Sequence, residues 1–191
     1  MQTGNFPFKI TICGIPELPE HRAAGVTHVL SILDPDMADP PAFQNFGPHH
    51  RLALRFHDII EPTPERIAPI RADVEKLLTY GRDLDRERAP HLLIHCHAGV
   101  SRSTASAALI LAQADPTRPA GAVFDAISSI RPRAWPNMRI LEFGDELLGR
   151  NGELVAAVGA VYRRVLDREP HIEEFMTEGG RAREVLAALR G

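Results

Sequence analysis

The sequence lacks the means for a disulfide-built or membrane-spanning protein. Across 191 residues it carries two cysteines, Cys13 and Cys96. Two thiols cannot form the network that staples small secreted domains, and a chain of this length, 44% apolar, can bury a core of its own. The longest apolar runs, such as residues 105–112, are interrupted or far too short to span a bilayer. The first residues show no basic segment leading into a clear apolar one, as a secretory leader would. Charge of one sign is lacking too: the formal net charge is -3 with His neutral, whereas a whole-surface nucleic-acid binder is usually strongly basic. No repeat or low-complexity segment stands out. These absences predict a soluble, cytoplasmic protein with neither membrane nor nucleic-acid partners, in a compartment reducing enough for a working thiol.

What is present alternates between two periods. Residues 8–13, 27–33 and 51–56 are β-rich, and His91 to His95 is a continuous apolar run between polar ends, as in a central parallel strand. Pro16 to Ala24 reads as a short helix that Gly25 can end. Residues 34–48, rich in Pro and Asp, read as a loop. Thr63-Pro64-Glu65-Arg66 has the form of a helix start, with Ile67, Ile70, Val74, Leu77 and Leu78 following at helical spacing. Residues 81–90 read as a charged loop. From Arg102 onward helices dominate, over 102–113, 119–130, 138–148 (with Asn137 as cap), 153–167 and 172–190, with a break at 149–152. The fold class this implies is α/β, a central, mainly parallel sheet flanked by helices, with a helical C-terminal half.

The chemistry concentrates in His95-Cys96-His97-Ala98-Gly99-Val100-Ser101-Arg102-Ser103, where the buried strand ends and an Ala-rich helix begins. Open α/β sheets place ligands at the carboxyl ends of parallel strands. A tight loop there turns backbone N–H groups inward, and the helix adds its positive end, which makes an anion pocket before any side chain is counted. Gly99 permits the bend, and Ala98 and Ser101 keep the backbone accessible. Cys96 opens the loop, in the kind of setting that favours a nucleophilic thiolate. Arg102 closes it with a planar fork able to hold two phosphoryl oxygens. Ser103 can donate a hydrogen bond to the sulfur. His95, Cys96 and His97 are adjacent in sequence and no second Cys/His pair has ligand spacing, so a metal site is not expected.

His-Cys, five residues, then Arg-Ser resembles the signature of the protein tyrosine phosphatase superfamily, in particular its compact dual-specificity-like and bacterial tyrosine phosphatases. The resemblance runs over roughly residues 8–148. It implies a phosphotyrosine-protein-phosphatase-like fold and hydrolysis through a cysteinyl-phosphate without cofactor or metal, with residues 1–150 as the catalytic domain. Residues 151–191 depart from the pattern and form a helical extension expected to pack on the same domain, whether completing the core, covering an edge or making a dimer surface. The resemblance makes Cys96, Arg102, Asp58 and Ser103 catalytic and gives phosphate binding to His97, Ala98, Gly99, Val100, Ser101 and Arg102. His95 would orient the loop. Asn137, in a stretch resembling the family's Arg-Pro-x-x-Pro-Asn region, either braces the loop or simply caps a helix. Asp58 is the first candidate for the general acid, although an Asp there could merely cap the next turn. Glu61 comes second, Asp34 and Asp36 third. The span from Asp58 to Cys96 is longer than compact members suggest, and the 81–90 loop could absorb the excess.

The expected substrate is a phosphorylated protein (phosphotyrosine) or a small phosphomonoester, with phosphate as product. Loop residues 97–101 include no Lys or Arg, unlike members that favour highly phosphorylated inositols or phosphoinositides. Two rivals stand beside the phosphatase: a phosphotyrosine-binding module without catalysis, and a rhodanese-like sulfur transferase. His97 sits either at the pocket rim or in solvent. Cys13 reads as a core residue, with protection of the nucleophile as its redox alternative. The arginines at the C-terminus read as solvated.

Overall fold

A computed structural model describes residues 6, 8–84 and 90–190. Four strands, β1 (Lys9–Gly14), β2 (His28–Leu33), β3 (His50–Arg55) and β4 (His91–Cys96), form one parallel sheet in the order β1-β4-β2-β3. β4 is thus flanked on both sides, which fits its near-continuous apolar sequence. Its residues alternate between two packing faces. Leu92, Ile94 and Cys96 point into the larger hydrophobic core, and Leu93 points into a smaller cluster with Cys13, Leu18, Val26 and Val29.

The larger core is closed by helices α1 (Arg71–Asp83), α2 (Arg102–Ala114), α3 (Ala120–Ile130) and α4 (Met138–Leu147). Then come α5 (Glu153–Arg168), the short α6 (Ile172–Met176), an irregular turn (Thr177–Arg181) and α7 (Ala182–Arg190). α5 rests on α3 and α4 and is covered by α7, so Leu154, Val158, Tyr162, Val185 and Ala188 share one apolar cluster with the sheet. The smaller face is covered by two 3-10 segments, Ile15–His21 and Pro41–Asn45. No helix among the described residues is long and apolar enough to cross a membrane.

The largest departures from the sequence reading are at two helix boundaries, beside the short helix read over Pro16 to Ala24, which is 3-10 and ends at His21. The stretch opening at Thr63 is a turn bridged from Thr63 to Arg66, and α1 starts at Arg71. Pro69 is the physical reason, because it cannot donate to a helix and forces Ala68 away from helical backbone. Ile67 and Ile70 are therefore exposed, and the helix is capped by Asp73, whose carboxylate accepts from Ile70 N at 3.1 Å. The last helix expected over 172–190 is broken at Gly180, which takes φ +78°, a left-handed conformation that favours glycine. Of the loop read over 81–90, residues 81–84 continue the α1 end and 85–89 lie outside the described residues.

Candidate active site

The loop between β4 and α2 is tied down from the outside. His97 O accepts from Ile15 N at 2.9 Å, and Ala98 O and Gly99 O accept from the Arg131 guanidinium at 2.9 and 3.1 Å. Val100 O takes Trp135 N at 2.9 Å, and Ser101 O takes Asn137 N at 3.3 Å and Ala105 N at 3.0 Å. All five carbonyls thus point into the scaffold. Among the described residues, the N–H groups of 97–101 donate to no protein acceptor, the pattern of a concavity lined with positive dipole ends. Gly99 makes this approach possible. It has φ +69°, and a Cβ there would lie 2.4 Å from the Cys13 carbonyl carbon. Arg131 is itself fixed by Glu17, at 2.8 and 3.0 Å.

The Cys96 side chain is buried at the β4 end, its Sγ 3.3 Å from Ser103 Oγ. Arg102, 2% exposed, donates through Nη1 to Asp34 Oδ1 at 2.7 Å and to Phe56 O at 2.6 Å. Its Nε is buried and has no hydrogen-bond partner among the described residues. Asp34, a third-choice acid, is thus an anchor for the arginine.

Asp58 lies at the mouth of the same cleft, and its Oδ1 accepts from Ser101 Oγ and Asn137 Nδ2, each at 2.8 Å. The side chain of Asn137 caps a helix and holds Asp58 rather than the loop, which Asn137 meets through its backbone N–H on Ser101 O. Its Oδ1 caps α4 by accepting from Ile140 N at 3.1 Å, and its Nδ2 holds Asp58. Glu61 instead pairs with Arg183 at the surface, outside the cleft lining, and Asp36 is exposed. His97 is partly exposed at the rim, its Nε2 3.8 Å from Asp34 Oδ1.

His95 pairs through Nε2 with Ser31 Oγ of β2 at 2.7 Å, and that serine accepts from Arg51 Nε at 2.8 Å. Burial pushes the His95 pKa from its ordinary 6.5 down to about 4, against the opposing pull of the Cys96 backbone. The ring is neutral in the fold at pH values where the unfolded chain has it protonated. Stability is therefore complete above about pH 6.5 and falls as the pH drops toward about 4, by about 3 kcal/mol from this residue. Urea midpoints at pH 7 and pH 4.5 should differ less for His95→Gln than for the natural chain; an equal difference would exclude His95 as the source.

Cys13 is not placed to protect Cys96. It pairs in register with His95, so its side chain lies on the opposite sheet face from that of Cys96. Burial, with Glu17 adding, pushes the Cys13 thiol up to about 12.

The C-terminal segment supplies what the sequence did not reveal. The cleft, about 720 Å³, is walled by Ile172, Phe175 and Met176 opposite Ile130 and Pro132. Arg181, against the expectation of solvated terminal arginines, is buried. It donates to Ser101 Oγ at 2.9 Å, lies 3.3 Å from Asp58 Oδ1, and is gripped by Glu184 at 2.6 and 2.9 Å. Glu184 is fully buried and also accepts from Trp135 Nε1 at 2.5 Å and Met138 N at 2.9 Å. Burial disfavours the Arg181 charge, but Glu184 and Asp58 outweigh it and raise its pKa. The only sequence hint was the Gly179-Gly180 pair ahead of it, since an arginine on an amphipathic helix carries no motif.

The sequence matches no protein-family model and no curated protein. Solved structures do share its architecture. Human DUSP28 aligns with 74% of this chain and 94% of its own at 16% identity and a TM-score of 0.56. The PTP-2 phosphatase of Cydia pomonella aligns over 76% and 87% at 21% identity and 0.57. A mouse putative dual specificity phosphatase aligns over 83% and 95% at 16% identity and 0.57. The chain has the protein tyrosine phosphatase fold. At these identities the likeness is one of fold. In this phosphatase fold, as in open parallel sheets generally, the loop after a central strand is where a ligand would sit, and here that strand is β4.

Proposed function

We propose that the protein hydrolyses phosphomonoesters through a cysteinyl-phosphate, with phosphotyrosine on protein as the preferred substrate class. The observation that carries this reading is the loop whose five carbonyls are held outward, with a buried cysteine at its start and an arginine with an unpaired Nε at its end. A phosphoryl dianion fits a cradle of N–H groups and one guanidinium. Cys96 Sγ forms the S–P bond as the P–O bond to the leaving group breaks. The departing oxygen keeps the electron pair and takes a proton from Asp58 Oδ2, the oxygen not occupied by Ser101 and Asn137. Water then attacks phosphorus and gives a proton to the Asp58 carboxylate. The S–P electron pair returns to sulfur, where the Ser103 hydroxyl stabilises it.

The cleft wall supports an aryl leaving group, because Ile130, Ile172, Phe175 and Met176 offer apolar surface to a ring. The arginines around it already face carboxylates, Arg131 with Glu17, Arg133 with Glu169 and Arg181 with Glu184, which favours a single phosphate over several.

The test is hydrolysis of aryl phosphates and phosphotyrosyl peptides in reducing buffer, with and without EDTA, by the natural chain and Asp58→Asn. Turnover indifferent to EDTA and slowed about 10²- to 10⁴-fold in Asp58→Asn is expected. Absence of turnover on every such ester would return the chain to the phosphotyrosine-binding or sulfur-transfer readings, and loss of activity with EDTA would contradict the mechanism.

A further inference from the structure

We propose that Arg181 is a positioning residue for Asp58, and that residues 177–184 therefore belong to the working site. The inference rests on the reading of Asp58 as general acid. Its basis is a directed chain of contacts. Glu184 is fully buried and has four donors: two nitrogens of Arg181, Trp135 Nε1 and Met138 N. With its carboxylate so fixed, it sets the Arg181 fork in one orientation. Arg181 Nη2 donates to Ser101 Oγ at 2.9 Å, and Ser101 Oγ in turn donates to Asp58 Oδ1 at 2.8 Å. Asn137 Nδ2 is the second hydrogen-bond donor to that oxygen at 2.8 Å, and the Arg181 guanidinium forms an ion pair with it, Nη1 lying 3.3 Å away.

The arrangement treats the two carboxyl oxygens differently. Oδ1 is surrounded by donors, so a proton on Asp58 belongs on Oδ2. As that proton passes to a leaving oxygen, negative charge builds on a carboxylate whose Oδ1 already faces two hydrogen-bond donors and a guanidinium, with no rearrangement needed. Asn137 supplies one of these from the α4 cap and Ser101 another from the loop. Arg181 is the charged one, delivered by the Gly180 bend, where φ is +78°.

A group that acts through the general acid has a distinctive kinetic signature. Esters of acidic phenols leave readily without a proton, whereas phenyl and alkyl phosphates need one. The experiment measures kcat and KM across phosphate esters of graded leaving-group acidity, for the natural chain, Arg181→Lys, Arg181→Gln, Asp58→Asn and Asp58→Asn/Arg181→Lys. Arg181→Lys keeps a cation beside Glu184 and guards against loss of the fold, which thermal melts follow in parallel. Expected is a fall in kcat of about 10- to 100-fold on phenyl phosphate for the Arg181 variants, with a change below about threefold on p-nitrophenyl phosphate. Adding Arg181→Lys to Asp58→Asn should then cost almost nothing more. Equal losses along the whole series, or a uniform rise in KM, would place Arg181 on the substrate or in the scaffold and overturn the proposal. If Asp58→Asn steepens the leaving-group dependence while both Arg181 variants keep the natural slope, the positioning role alone fails. If Asp58→Asn keeps the natural slope, the acid assignment fails and takes the proposal with it.

Discussion

Cys96→Ser is expected to reduce aryl phosphate turnover by more than about a thousandfold while leaving phosphate-ester binding largely in place. The substitution changes one atom at a buried position, Sγ to Oγ, so the 2% exposure of Cys96 and its packing against the larger core are nearly preserved. What is lost is nucleophilicity. Sulfur is the far stronger nucleophile toward phosphorus, whereas a serine hydroxyl would have to lose its proton to a base as it attacks. Among the described residues, no base is hydrogen-bonded to the Cys96 side chain. Cys96 Sγ pairs with the Ser103 hydroxyl at 3.3 Å, and Asp58 is engaged by Ser101 and Asn137. The anion cradle, by contrast, does not depend on sulfur, because the loop carbonyls remain tied to Ile15, Arg131, Trp135 and Asn137. The check pairs steady-state turnover with calorimetric binding of a phosphotyrosyl peptide to the variant. Turnover within tenfold of the natural chain would remove Cys96 from the mechanism, and loss of binding together with turnover would mean that the loop itself had collapsed.

The sheet was legible because β4 and its neighbours announce themselves by apolar runs that end at Gly or polar residues. All four strands lie within a residue of the positions read from sequence. The loop was legible for a different reason: its chemistry is written in consecutive residues, from Cys96 to Ser103. The start of α1 is not legible from spacing, because Ile67 and Ile70 fit a helical period that Pro69, the stronger constraint, forbids. Arg181 and Arg131 were not legible for a deeper reason. Each reaches the loop across a long sequence separation, and each is fixed by a carboxylate, Glu184 or Glu17, that looks like any surface acid in one dimension. Composition gives such residues no mark, since an arginine is buried only when three-dimensional packing brings it an anion. The same limit explains Asn137, whose cap role follows from its place before α4, whereas its bond to Asp58 depends on how the segment after β3 lies against α4.

Arg102→Lys should cost about 10²- to 10³-fold in kcat/KM despite keeping the charge. The guanidinium divides its work among nitrogens. Nη1 is committed to Asp34 Oδ1 and Phe56 O, which ties the start of α2 to the residue following β3, while Nε remains buried and unpaired beside the loop. One side chain thus anchors the scaffold and still presents N–H to a phosphoryl oxygen, in a geometry fixed by the planarity of the fork. A lysine has a single Nζ. If it keeps Asp34 and Phe56, the phosphoryl group loses its charged donor; if it turns to the phosphoryl group, the buried Phe56 carbonyl loses its partner. Neither choice restores both. The transferring group gathers charge on its equatorial oxygens in the transition state, so the loss should fall on kcat as well as KM. Oxyanion affinity provides the independent reading: inhibition by inorganic phosphate or vanadate should weaken in Arg102→Lys along with turnover. A lysine variant within threefold of the natural kcat/KM would show that charge alone suffices at this position, and the two-part role of the guanidinium would be wrong.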